Sequence, residues 1–101
     1  MPINVLRFDT TPNPNAIKCV LDQIIIPDGQ PPRSYRDPQS AANDPIASAI
    51  FALGSEGDIT GVLMNADWIT VNKSPTVNWS SLHKQLTHTL AGFDSPASQI
   101  V

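Results

Sequence analysis

The stretch Asp58-Ile59-Thr60-Gly61-Val62-Leu63-Met64-Asn65-Ala66-Asp67-Trp68-Ile69-Thr70-Val71-Asn72-Lys73 decides the fold. Its β-branched density (Ile59, Thr60, Val62, Ile69, Thr70, Val71) favours two strands, because branched side chains pack well on a pleated surface. The polar Asn65-Ala66-Asp67 between them reads as a tight turn, so the pair is an antiparallel hairpin. A three-residue turn places Ile59, Leu63, Ile69 and Val71 on one face. Val62, Met64, Trp68 and Thr70 then share the other. If helices cover only one face, Met64 and Trp68 lie on the second, and such residues anchor interfaces. The alternative is that another segment covers them.

Outward from the hairpin, helices flank it on both sides. Downstream, Asn78 is a suitable N-cap, and Trp79, Leu82, Leu86, Leu90 and Phe93 form one apolar stripe. Gly92 and Pro96 mark the end, which predicts a helix over 78–92. Upstream, Asp44 is an N-cap with Pro45 at the first helical position. Ile46, Ala49, Ile50 and Leu53 recur at helical spacing up to Gly54, which predicts a helix over 45–54.

The N-terminal part reads as a second strand pair. Ile3–Phe8 is apolar and β-prone. Ile17, Cys19 and Leu21 alternate with Lys18 and Val20, as in a half-buried strand. Between them, Thr11-Pro12-Asn13-Pro14-Asn15 forbids helix and ladder alike. The segment 23–44 is less regular. Ile24-Ile25-Ile26 fits a short strand, Ser34-Tyr35-Arg36 a short edge strand, and Gln39–Asn43 a single helical turn. Strands come as hairpins and not as βαβ units. The expectation is an α+β two-layer sandwich: an antiparallel or mixed sheet with two helices packed on one face.

Bulk properties bound the function. The chain has 101 residues, one domain's worth, and 41% of them are hydrophobic. One domain is expected over 1–94, with a flexible C-terminal tail over 95–101. Six basic against nine acidic residues give net −3, which argues against nucleic acid or an anionic membrane as partner. No apolar run is long enough to span a bilayer. Met1–Arg7 lacks a basic leader followed by an apolar core, so no signal peptide is expected. The single cysteine, Cys19, has no internal disulfide partner, which fits a reducing, cytoplasmic location.

The chemistry-bearing residues are scattered. No phosphate-binding glycine loop, C-x-x-C or H-E-x-x-H occurs. Cys19 shares parity with Ile17 and Leu21 and reads as a small buried hydrophobe; a nucleophile would want a His nearby. His83 and His88 sit about 140° apart on a helix, the wrong spacing for a shared metal. The acids lie beside turns and caps, Asp44 as a cap and Asp67 as a hairpin residue. No catalytic or metal site is expected, and the chain is expected not to be an enzyme. The Thr11–Lys18 loop is either a stiff connection or a presented recognition loop.

Four stretches resemble the N-terminal domain of Nfu/NifU-type iron–sulfur scaffold proteins. Thr11-Pro12-Asn13-Pro14-Asn15-Ala16-Ile17-Lys18 resembles that family's T-P-N-P-x-x-x-K opening. Asp44-Pro45-Ile46-Ala47 followed by Ile50-Phe51 resembles its S-P-L-A-x-x-L-F helix. Gly61–Lys73 is similar to its G-V-F-F-G-x-D-F-I-T-V-T-K hairpin, and Val77-Asn78-Trp79-Ser80-Ser81-Leu82 to the V-x-W-x-x-L start of its last helix. In full-length members a second domain carries the C-x-x-C that holds a cluster between subunits; this sequence has no such motif. Cys19 falls where the family has an aromatic residue. The resemblance implies an accessory, protein-interaction domain of iron–sulfur cluster assembly that itself binds no cofactor, the cluster being held by a partner protein. Iron binding is implied by family membership only, and the ligand count argues against it. The residues expected to meet a scaffold or client protein are Thr11, Asn13, Asn15, Lys18, Arg36, Met64, Trp68 and Lys73. The competing expectation is a module unrelated to iron–sulfur maturation, binding a small anion or a phosphopeptide through Lys18, Arg36 and Lys73.

Overall fold

The computed structural model describes residues 2–27, 29–55 and 57–93. The expected tail over 95–101 lies outside the described residues. The elements run β1 (Val5–Thr10), β2 (Ala16–Leu21), β3 (Arg33–Tyr35), α1 (Pro45–Phe51), β4 (Ile59–Met64), β5 (Trp68–Lys73) and α2 (Trp79–Ala91). The strands form one sheet in the order β1-β2-β5-β4-β3, with every neighbouring pair antiparallel. Both helices pack on one face of it. Ile46, Ala47, Ile50 and Phe51 of α1 join Leu82, Leu86 and Leu90 of α2 and the inward residues of the sheet in one core. The fold is the expected α+β two-layer sandwich.

Local chemistry sets the helix bounds. The Asp44 carboxylate accepts the Ala47 N–H (3.2 Å), and Pro45 follows at a position whose N–H would be unpaired anyway. Asn78 caps α2 through Ser80 N–H (3.1 Å). Helix α1 stops at Phe51, earlier than expected, with Ala52 as its C-cap; Gly54 beyond it takes φ +67°, a conformation that disfavours a side chain. The expected strand at Ile24–Ile26 does not form. Ile25 and Ile26 are buried and hydrogen-bond the Ala66 carbonyl at the hairpin turn, so they cap the sheet's end without lengthening it. The edge strand near Ser34–Arg36 is present as β3, and Gln39–Asn43 forms hydrogen-bonded turns with Ala41 buried.

The decisive hairpin forms with a different register. Asn65 N–H donates to the Trp68 carbonyl (2.9 Å), so Met64 pairs with Ile69 and Val62 with Val71. The expected turn paired Met64 with Trp68. A slip of one residue exchanges the faces of a strand, so Met64 and Val62 turn inward and Leu63 outward. Ile59 still reaches the core, because a bulge between Ile59 and Gly61 reverses the alternation again. Met64 is 1% exposed and belongs to the core, contrary to the expectation that it lies at an interaction surface. A second bulge between Val5 and Arg7 keeps Val5 and Phe8 facing inward on β1 and leaves Leu6 exposed.

Candidate functional site

The expected Thr11–Lys18 loop is shorter, Thr11–Asn15, because β2 begins at Ala16, and it is built into the domain by three bonds to β5 and α2. Thr11 Oγ1 donates to the carbonyls of Asn13 (2.9 Å) and Ala16 (3.2 Å), and Asn13 Oδ1 accepts the Asn15 N–H (2.9 Å). The Asn15 carbonyl accepts the Lys73 N–H (2.8 Å), and Asn15 Oδ1 accepts from Lys73 Nζ (3.2 Å). Trp79 Nε1 donates to the Pro14 carbonyl (3.1 Å), while Lys73 Nζ lies 5.3 Å from the centroid of the Trp79 ring. The loop, the end of β5 and the start of α2 thus close into a latch. Lys73 is 7% exposed and its ammonium also bonds the Ser74 carbonyl (3.3 Å). This corrects its expected place on a basic rim. Its inward position follows from its parity with Ile69 and Val71, a signal present in the sequence. Thr11 and Asn15 have side chains committed to the latch. Pro12, Asn13 and Pro14 are exposed.

The sheet face opposite the helices carries the remaining expected residues. Across the strands, Asp9, Lys18, Thr70, Leu63 and Ser34 are successive partners and form one row. Beside it, Arg7, Val20 and Trp68 form a second. Lys18 Nζ sits 4.8 Å from the Trp68 ring centroid, a cation–π contact of about 0.5–1 kcal/mol at an exposed site. Arg7 is paired with Asp9 (3.1 Å). Next to the first row, Gly61 opens a shallow groove lined by Ser34, Arg36, Thr60, Thr70 and Asn72. Lys18, Trp68 and Arg36 therefore share this face. Lys73, which points to the core side, does not join Lys18 and Arg36, so no three-cation cluster forms.

The other titratable groups serve the fold. Burial pushes the Cys19 thiol up to about 12, and it faces the core as expected. Asp44 accepts from Tyr35 Oη (3.0 Å) and Arg33 Nη1 (3.5 Å) besides capping α1; burial and this carboxylate raise the Tyr35 phenol. That cluster went unread in the sequence, since it joins β3 to α1 across an irregular connection. His83 stacks on Phe8 (centroids 4.3 Å apart) and on Trp79 (6.0 Å), and with Phe8, Lys84 and His88 it lines a groove between β1 and α2. Among the described residues no three His, Cys, Asp or Glu side chains converge as a metal site. A cluster needs several thiolates, and this chain has one cysteine, buried and held as thiol. The residues present do not fit an iron–sulfur cluster. No helix among the described residues is long and apolar enough to cross a membrane.

The fold has counterparts among solved structures. A NifU-like protein from Saccharomyces cerevisiae superposes with a TM-score of 0.77 at 21% identity, over 90% of this chain and 77% of that one. A crystal structure of a Staphylococcus aureus protein gives 0.69 at 17% identity, over 85% and 96%. A Staphylococcus epidermidis protein gives 0.56 at 20% identity, over 88% and 96%. At these identities the likeness concerns the fold. No curated protein sequence matches significantly. The family model described as "Scaffold protein Nfu/NifU N terminal" matches residues 6–95, a span that takes in the latch, both helices and the hairpin. The chain belongs to the Nfu/NifU scaffold-protein N-terminal family.

Proposed function

We propose that this domain is a non-enzymatic docking module of iron–sulfur cluster assembly that recruits a scaffold or client protein through its helix-free sheet face. One observation carries the reading. Both helices lie on one side, and the other side presents Trp68 under Lys18 beside the half-buried Val20 and Leu63. Tryptophan is among the residue types that carry most of the binding energy of protein interfaces, and the apolar residues around it exclude water from the contact. The latch commits the side chains of Thr11, Asn15 and Lys73 within the domain, which takes these three out of the docking surface. The lack of a fitting ligand set supports a domain that meets the cluster only through a partner. The lone buried thiol suits a cytoplasmic setting.

The test is affinity capture from native lysate with the full chain and with Trp68→Ala, the fold of both being checked by circular dichroism. Iron–sulfur assembly proteins identified by mass spectrometry should be recovered by the former and depleted with the latter. Equal recovery by both would place the interface elsewhere, and recovery of no assembly protein would remove the iron–sulfur role.

A further inference from the structure

The Gly61 groove adds chemistry to the docking face. Ser34, Thr60, Thr70, Asn72 and Arg36 line it, none of its lining residues is acidic, and Tyr35, which also lines it, has its phenol bonded to Asp44. Among the described residues none of the first five side chains has a hydrogen-bond partner within the protein. A Cβ on Gly61 would stand 3.3 Å from Asn72 Nδ2, so the absent side chain is what opens the depression. In a chain of net −3, this is a patch of unused donors around one cation. Unused donors with positive charge complement a carboxylate.

A second cation lies across the same face. Lys18 on β2 is separated from Arg36, just beyond β3, by β5 and β4. Three strand spacings of about 4.8 Å across the sheet, with a two-residue offset of about 6.8 Å along it, put the two positions roughly 16 Å apart. Leu63 and Thr70 continue the Lys18 row to Ser34, and Arg36 stands two residues beyond that row, so the path between the two cations crosses the sheet diagonally beside Leu63. A free small anion would satisfy one end only. An extended polypeptide rises about 3.4 Å per residue and turns alternate side chains to one side, so residues i and i+4 stand roughly 14 Å apart with i+2 between them, and the long Lys18 and Arg36 side chains cover the remaining gap.

We propose that the helix-free sheet face binds an extended acidic segment of the partner protein, one carboxylate seated in the Gly61 groove beside Arg36 and another, four residues away, at Lys18. The intervening apolar side chain lies over Leu63. This rests on the docking reading above and names the chemistry of its partner.

The probe is an end-blocked heptapeptide with glutamate at its second and sixth positions, leucine at the fourth and alanine elsewhere. Its lysine-for-glutamate counterpart and inorganic phosphate serve as separate arms. Backbone amide shifts of the full, isotope-labelled chain are followed by NMR. The glutamate peptide should shift Lys18, Leu63, Thr70, Gly61 and Arg36 together, with an affinity that falls as salt rises. Lys18→Gln and Arg36→Gln should each weaken it about fivefold or more, as loss of a charged hydrogen bond does. Equal shifts from the lysine peptide, no loss in either variant, or the same shifts from phosphate alone would overturn the proposal. Its failure is separable from that of the docking reading: a chain that ignores the peptide yet captures assembly proteins through Trp68 loses only the acidic segment.

Discussion

Lys73 shows how a residue's role depends on contacts that are distant in sequence. As a lysine closing a strand, it fits a solvated rim. Its parity with Ile69 and Val71 says otherwise, and the structure has it bonded to Asn15, 58 residues away, with its ammonium over Trp79. Trp79 in turn bonds Pro14 across 65 residues. Neither partner was legible, because no local pattern encodes a contact between a loop and elements that follow the hairpin. The latch is energetically cooperative, since a buried ammonium without its acceptors loses both hydration and hydrogen bonds. Lys73→Met should therefore lower stability by about 1.5–3 kcal/mol, and Trp79→Phe by about 1 kcal/mol through loss of the indole donor. In urea unfolding the double variant should cost less than the sum of the two. Strict additivity would mean that the two side chains act independently and that no latch exists.

At the level of elements, the sequence was most readable where periodicity is strong. The stripe Leu82, Leu86, Leu90 is buried on α2 as expected, and Asp44 and Asn78 cap their helices. Trp79 is only partly buried, because the latch uses its edge as a donor. What the pattern did not reveal was the side of β4 that faces inward. Val62-Leu63-Met64 is apolar throughout, so either phase satisfies the hydrophobic alternation. The choice falls to the backbone bond between Asn65 and Trp68 and to the bulge at Ile59/Gly61, neither of which has an unambiguous residue signature. Leu86 carries no such ambiguity, being 0% exposed in the shared core. Leu86→Ala should cost about 2–5 kcal/mol by lost burial and a residual cavity, a large part of a total of about 5–15 kcal/mol for a domain. Thermal and urea unfolding measure it. A midpoint equal to that of the unaltered protein would mean that α2 does not pack as described.

The whole molecule divides its labour between two faces. One side of the sheet buries the apolar stripes of both helices, and the latch closes one end of the sandwich. The other side keeps a tryptophan, a lysine and a donor-lined groove outside the core. This division bears on how the domain relates to iron. Iron and sulfide assemble on thiolates that can be reached and ionised. Cys19 lies at 0% exposure on the core side, paired with Phe8 in the ladder, and burial raises its thiol to about 12. Burial therefore holds Cys19 as the thiol, and no second cysteine is present in this sequence to share a cluster. His83 is committed to its stack with Phe8, and the exposed His88 lines the same groove five residues further along α2. Anaerobic incubation of the folded chain with Fe(II) and sulfide, followed by desalting, should leave a protein with no absorbance near 400 nm and no retained iron. His83→Gln combined with His88→Gln should not change that result. A stable brown chromophore at stoichiometric yield would require Cys19 to leave the core, and with it the packing of β2 against β1 would have to be redrawn.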